Sequence, residues 1–414
     1  MNDVARRGVV GGAVGGVVGG AVALVVALCF VAAMCEGFDI QSAGVAAAGL
    51  SHDFKPSPGQ LGLFFAAANL GLVIGALVGG PLADRIGRKP VLVASLLAFG
   101  ACSILNGLAP SVGALTAARL ATGLGLGGAM PNMIALVTDV TAARARNAVI
   151  AFTFVGMPVG GSVVSLLVLT MGADHWRTLF FIGGAAPVAV AALLAVSLRE
   201  APRGEAAQAP KAGPVSEVLG EGRLARTLVI WAGFFAAALM LHLMLNWLPL
   251  LLQGRGLSKS EAALAQTAFN LLGAGGALVA GLSLDTRARP LGVAASVAAI
   301  PIALLLVAEA PAQGTAMALA AALLGAGVLA LNVILYGAAG DCYPARVRGA
   351  GLGAAVGATR LGALAGPTLA AVLLNAGRTP EQVLISLMPV VLAAGLCAAW
   401  LTWLRVAGRI AVAA

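Results

Sequence analysis

Gly79-Gly80-Pro81-Leu82-Ala83-Asp84-Arg85-Ile86-Gly87-Arg88-Lys89-Pro90 is a charged interruption between two long apolar runs. Glycine allows a tight turn and a close approach of helices, and Pro90 suits the first turn of a new helix. Asp84 and Arg88 are spaced to make an interhelical ion pair. An eroded copy, Gly281-x3-Asp285-x-Arg287-x-Arg289-Pro290, returns 201 residues later at its Gly and Asp. A second pattern behaves the same way: Asp139-x4-Arg144-x-Arg146 reappears 202 residues on as Asp341-x4-Arg346-x-Arg348. Two loops that return at nearly one offset imply an internal duplication.

Composition decides the solvent around these loops. The 414 residues are 60% hydrophobic and only 10% charged, with mean hydropathy +0.99. A soluble domain carries about 25% charged residues, so this chain cannot cover a water-facing surface. A soluble enzyme, a disulfide scaffold and a disordered chain are all excluded. A spanning helix needs roughly 20 apolar residues, and twelve such segments are predicted. They fall near 20–49, 59–80, 90–110, 112–138, 148–171, 176–197, 226–252, 262–284, 291–309, 315–340, 348–376 and 382–404. The longest polar stretch, with Pro202, Pro210 and Pro214, splits them into six and six. The expected architecture is an all-α integral membrane protein of two six-helix pseudo-repeats, 1–198 and 226–414, joined by a cytoplasmic linker at 199–225. Duplicated six-helix halves around a midplane site describe a secondary transporter.

Charge sets the orientation. Of the 25 Lys and Arg, 18 fall on the side of the termini, Arg119 and Arg360 lie inside apolar segments, and only Lys55, Arg177, Arg255, Lys259 and Arg378 face the other side. Basic residues concentrate in cytoplasmic loops, so both termini and the central linker are expected in the cytoplasm of a bacterial inner membrane. The net charge of +9 is therefore a topology signal and not a nucleic-acid footprint. No cleavable signal peptide is visible, and the Gly8–Gly20 opening is expected to fray because glycine is costly in a helix. The five cysteines lack metal spacing and read as helix-packing residues.

Ionisable residues inside spans are expensive and mark functional sites by default. Glu36 and Asp39, at i and i+3 in Cys35-Glu36-Gly37-Phe38-Asp39-Ile40-Gln41, share one helix face. Two carboxylates in a low dielectric suit reversible protonation. Arg119 opens the fourth span and Arg360 lies in the eleventh. A guanidinium keeps its charge and matches a carboxylate with a planar fork.

The 79–90 loop resembles the G-x-L-a-D-r-x-G-r-k loop of the major facilitator superfamily. Further segments resemble its aromatic acid/proton symporter branch. Glu36-Gly37-Phe38-Asp39 is similar to the first-span D-G-[FY]-D, with Glu36 in place of the usual Asp. Arg119 to Asn132 is similar to the fourth-span R-x-L-T-G-[LI]-G-L-G-x-A-M-P-N. Asn246-Trp247-Leu248-Pro249 carries the seventh-span W-L-P, and Tyr343–Gly351 with Gly357–Pro367 matches the connection into the eleventh span.

The resemblance implies a proton-coupled symporter that imports an aromatic carboxylate of the benzoate, hydroxybenzoate or protocatechuate type by alternating access. Asp39 would be the main proton-coupling acid, with Glu36 supporting it. Arg119 and Arg360 would handle the substrate carboxylate or stabilise the proton-linked charge state. Asn132, His242, Asn246, Trp247 and Tyr336 would line the cavity, with His242 read as a polar helix-packing residue rather than a proton relay. Gly80, Asp84, Arg85, Gly87, Arg88, Asp139, Arg144, Asp341 and Arg346 would form the gate network, with Asp139 an ion-pair partner at the cytoplasmic end of the fourth span. The expected partners are a small aromatic acid, protons and lipid, with no nucleic acid, no metal and no cofactor, for a chain acting as a monomer. The rival readings are import of another organic acid and proton-driven drug export. Gly156-Met157-Pro158-Val159-Gly160-Gly161 only loosely matches the antiporter G-P-x-x-G-G element and favours import. No HExxH, metal-spaced cysteines or recognisable Ser-His pair suggests an enzyme.

Overall fold

The computed structural model describes residues 3–141, 146–197, 218–220, 222–284, 286, 289–343 and 345–407. Twelve helical segments among them are long and apolar enough to cross a membrane. They are carried by α1 (Asp3–Phe54), α2 (Pro58–Ile86), α3 (Arg88–Leu108), α4 (Val112–Val140), α5 (Arg146–Met171) and α6 (Trp176–Ser197). There follow α7 (Leu224–Gly254), α8 (Lys259–Leu284), α9 (Arg289–Glu309), α10 (Gly314–Cys342) and α11 (Ala345–Asn375). The twelfth span is shared by α12 (Pro380–Ile385) and α13 (Met388–Val406). Helix is the only open-chain solution in hydrocarbon, because every backbone N–H and C=O must be satisfied within the segment.

The helices alternate in direction, and their pairings repeat. Helix α1 packs on α5, α2 on α4, and α3 on α4 and α6; six elements later α7 packs on α11, α8 on α10, and α9 on α10 and α13. This is the duplication seen in the loops, now expressed as packing.

Glycine lets several of these pairs touch backbone to backbone. A Cβ at Gly37 would sit on the Met157 carbonyl, and one at Gly160 on that of Met34, so α1 and α5 meet without intervening side chains. Small residues are what allow such contact between helices in lipid. The opening of α1 departs from expectation. The helix is continuous from Asp3 rather than frayed, because each residue added to an existing helix gains a hydrogen bond that offsets the cost of its glycines.

Contacts between the first six helices and the later ones gather toward the end that carries Phe54 and Pro58. Gln41 on α1 accepts from Asn270 Nδ2 at 2.6 Å and from Gln266 Nε2 at 3.3 Å on α8. Phe65 on α2 meets Trp247 on α7 edge to face at 5.2 Å between centroids. Outermost, Lys259 Nζ donates to Asp174 Oδ1 at 2.7 Å, joining the start of α8 to the 3-10 turn Ala173–His175.

Candidate functional site

At the middle of the bundle Arg119 Nη1 donates to Asp39 Oδ2 at 2.7 Å, with the two side chains 1% and 0% exposed. Arg119 is thus deep in the protein, not near the boundary its position early in α4 suggested. Ser103 on α3 donates its hydroxyl to Asp39 Oδ1 at 3.2 Å, and Phe64 presents its ring to the guanidinium 5.8 Å from the centroid. A buried charge is tolerated only when paired and hydrogen-bonded. Here three helices supply the partners. The satisfaction is incomplete, because Arg119 Nε has no hydrogen-bond partner.

Glu36 lies one turn before Asp39, 3% exposed, and its Oε2 also has no partner. Arg360 of α11 is within electrostatic reach of Glu36, His242 and Tyr336. Tyr336 packs edge to face on Phe234 at 4.7 Å. His242 Nδ1 lies 3.0 Å from the Ala238 carbonyl, which can only accept, so Nδ1 carries the proton and Nε2 is the free nitrogen. One acid from α1 therefore pairs within the first six helices, while the other faces an arginine from the later ones.

A narrow crevice of about 10 Å³, room for about one water molecule, adjoins the buried pair and is lined by Ile40, Phe65, Asn69, Leu72, Arg119 and Asn246, among others. Asn69 was not singled out in the sequence. Of the five residues expected to line a cavity, Asn246 is among those lining this crevice, and Asn132, His242, Trp247 and Tyr336 are not. Trp247 is 2% exposed and donates Nε1–H to the Pro367 carbonyl at 3.0 Å, which ties α7 to α11. Asn132 is buried and donates to the Gly128 carbonyl of its own helix at 2.7 Å.

In the 79–90 loop Arg88 pairs with Asp139 at the end of α4, and both side chains are about half exposed. The side chain of Asp84, the partner expected from spacing, lies outside the described residues. Gly87 ends α2 and precedes α3 with φ +105°, a conformation that L side chains rarely adopt. Gly80 has open space where a Cβ would be, and Arg85 is exposed. Arg144 and the side chains of Asp341 and Arg346 lie outside the described residues. Among the described residues no group of His, Cys, Asp and Glu could hold a metal ion.

A twelve-span bundle of duplicated halves with a buried acid–arginine pair between its helices has the architecture of a secondary transporter. The Major Facilitator Superfamily pattern matches residues 29–336, and the chain belongs to that superfamily. It is a multi-pass membrane transporter and not an enzyme.

Its relatives narrow the resemblance to aromatic acid transporters. The chain is 36% identical to the 3-(3-hydroxy-phenyl)propionate transporter of Escherichia coli (strain K12) over 89% of this chain and 91% of that one. It is 31% identical to the 4-hydroxybenzoate transporter PcaK of Pseudomonas aeruginosa, covering 87% and 88%. Among solved structures it resembles the D-xylose-proton symporter, with TM-score 0.71 at 17% identity, covering 91% of this chain and 96% of that one.

Proposed function

We propose that the protein is a proton-coupled symporter of the bacterial inner membrane that imports an aromatic carboxylate, with both termini in the cytoplasm and the chain acting as a monomer. The carrying observation is the fully buried Asp39–Arg119 pair, an ionisable pair inside the membrane-spanning bundle. The names of the two relatives supply the substrate class, since both carry an aromatic ring and a carboxylate.

The charge balance argues for symport. A carboxylate anion entering a negative cell is opposed by about 2.3 kcal/mol per 100 mV, and one accompanying proton removes that term. Asp39 is the acid assigned to carry it. When Asp39 takes a proton, Arg119 loses its negative partner and can stabilise the charge of an entering anion. When the substrate leaves, the proton leaves with it and the pair reforms. Arg360, partly exposed and facing Glu36, is assigned as the anchor of the carboxylate, with Glu36 as its counter-ion when substrate is absent.

Residues 1–198 and 226–414 act as the two rocking halves. With basic residues marking the cytoplasmic side, the contacts through Gln41, Phe65 and Asp174 close the outer side, which makes this the inward-facing arrangement. Arg88–Asp139, with Asp84, Arg85, Arg144, Asp341 and Arg346, belongs to the cytoplasmic gate.

The test is uptake into energised vesicles of radiolabelled benzoate, 4-hydroxybenzoate, protocatechuate, 3-(3-hydroxyphenyl)propionate and an aliphatic dicarboxylate, with and without an imposed pH gradient. Accumulation of an aromatic acid that depends on the gradient is expected. Preference for the aliphatic acid, or indifference to the gradient, would defeat the assignment.

A further inference from the structure

Helices α2, α4 and α11 leave an apolar groove of about 520 Å³ at the end of the bundle away from the termini. Leu63, Ala67 and Leu70 of α2 form one wall, and Val112, Ala117 and Leu120 of α4 form the other. Leu364 of α11 borders it, so the groove touches both sets of six helices. Its polar groups are few and largely engaged. Gln60 caps α2 by accepting from the Ser57 N–H at 2.9 Å, and Thr116 spends its hydroxyl on the Val112 carbonyl at 2.8 Å. Leu63 and Leu70 are 61% and 45% exposed within a span, where the surrounding medium is hydrocarbon. From residue 60 to residue 70 a helix rises about 15 Å, half of a hydrocarbon core about 30 Å thick. The groove is one leaflet deep.

The charges above the groove are a second, independent observation. Lys55, Arg177, Arg255, Lys259 and Arg378 are the basic residues of this end. Arg177 pairs with Asp53 at 2.7 Å, Arg255 with Glu381 at 3.3 Å and Lys259 with Asp174 at 2.7 Å. Lys55 and Arg378 are exposed and, among the described residues, have no acid of their own. These two flank the groove. Lys55 precedes α2 and Arg378 follows α11, and the two helices meet at that level. A Cβ at Gly59 would lie 2.9 Å from the Asn375 amide nitrogen, and one at Gly62 would meet Ala371.

We infer that the groove seats an acyl chain of an anionic phospholipid whose phosphate lies between Lys55 and Arg378, and that this lipid clamps α2 to α11. The vertical order of the site is that of a phospholipid: two uncompensated cations at the water boundary, then an apolar channel as long as one leaflet. Basic residues at a membrane surface attract anionic headgroups. A water-soluble anion could satisfy the cations but leaves the groove unfilled. A second copy of the chain could cover the leucines, yet a two-fold contact would gather the same two cations from both copies. Because α2 and α11 belong to opposite halves, the bound lipid favours the arrangement in which this end is closed. None of this depends on which substrate is carried.

The experiment offers the purified full chain equal amounts of phosphatidylglycerol and phosphatidylcholine in detergent, and native mass spectrometry reads which lipid is retained. One cation near an anionic headgroup is worth about fivefold in binding, so a preference for phosphatidylglycerol of about fivefold or more is expected. Lys55→Gln with Arg378→Gln should bring that ratio toward one. Ala117→Phe, at an exposed position of the groove wall, fills the space for the chain and should lower phosphatidylglycerol retention with both cations in place. The ratio is taken within one preparation, so the unaltered protein tests the inference even where a variant does not fold. In vesicles, spin labels on the tips beside residues 57 and 376 should give a shorter, narrower distance distribution when phosphatidylglycerol is present. Equal retention of the two lipids would overturn the inference, as would a preference that survives the double substitution or a label distance indifferent to lipid. Displacement of the lipid by inorganic phosphate, or retention unchanged in Ala117→Phe, would mean an anion site with no seated chain. A dimer in place of the lipid-bound monomer would give the groove to a second copy. Either result overturns it. Failure to transport any aromatic acid would defeat the proposed function and leave this inference standing.

Discussion

Arg119 and Asp39 are held 2.7 Å apart across the α1–α4 contact, and neither side chain reaches solvent. A pair in this setting is weak evidence for stability, because its desolvation cost rivals its attraction, yet removing one partner leaves the other charge uncompensated. That asymmetry separates folding from coupling. Asp39→Asn is expected to destabilise the fold by roughly 3–5 kcal/mol and to abolish accumulation against a gradient, with substrate exchange partly kept. The double substitution Asp39→Asn with Arg119→Gln removes both charges, so it should regain thermal stability in detergent without regaining accumulation. Full gradient-driven uptake by Asp39→Asn would transfer the coupling role to Glu36, whose own Glu36→Gln variant is expected to be milder.

A different balance applies to Arg88 and Asp139. Both side chains are about half exposed, and an exposed ion pair contributes only about 0–1 kcal/mol. Asp139→Asn and Arg88→Gln should therefore leave membrane insertion and thermal stability nearly unchanged. If the pair belongs to the gate, uptake at matched expression falls severalfold in either variant. A charge swap that restores the pair, Arg88→Asp with Asp139→Arg, should recover part of it. Unchanged uptake in all three would reduce the loop to a topogenic signal.

The contact of α1 with α5 gives a prediction about packing. Gly37 lies between the two acids in sequence, and its Cα faces the Met157 carbonyl so closely that a methyl group cannot enter without backbone movement. Overpacking typically costs about 1–3 kcal/mol. Gly37→Ala is expected to lower the midpoint of thermal unfolding and to displace Glu36 and Asp39 together. Gly80→Ala, where open space surrounds the added carbon, is the control and should behave like the unaltered protein in the same melt.

These cases show which features the sequence displays and which it conceals. The twelve spans were legible because apolar run length and basic loops are properties of composition, and the ends agree to within a few residues. Asp39 and Arg119 stood out because charge inside an apolar run is costly. Ser103, Gln41, Asn270 and Asn69 did not. A neutral polar residue in a span can spend its hydrogen bonds on its own helix, as Ser162 and Ser165 do, and nothing local distinguishes that use from a contact between helices. The ion pair of Arg88 with Asp139 was legible too, since an acid closing the fourth span beside a basic loop invites one, whereas the side chain of Asp84 lies outside the described residues. Trp247 carries a family-like motif, but its indole N–H is consumed by Pro367 on α11, a distance of 120 residues along the chain.

The last prediction concerns Asp174 and Lys259, which bridge the two sets of helices at the end away from the termini. Lys259 donates to Asp174 at 2.7 Å, and this hydrogen bond, together with the ammonium charge, holds the Asp174 carboxyl below the usual carboxylate range. A depressed acid favours the arrangement in which it is paired at every pH above its unpaired value, near 3.9, and that preference disappears as pH falls through the lower, paired value. Between pH 5 and 8 the pair is therefore fully charged, and its contribution to closure should not vary with pH. Salt should weaken it, since exposed pairs are screened over about 8 Å at physiological ionic strength. Lys259→Glu places two carboxylates face to face and should open this end, while Asp174→Lys with Lys259→Glu should close it again. The measurement is a distance distribution between spin labels placed on the tips beside residues 174 and 259. A longer population in Lys259→Glu that the charge reversal removes is the expected result. An unchanged distribution in Lys259→Glu would show that the Gln41–Asn270 and Phe65–Trp247 contacts hold the closed end without help from this pair.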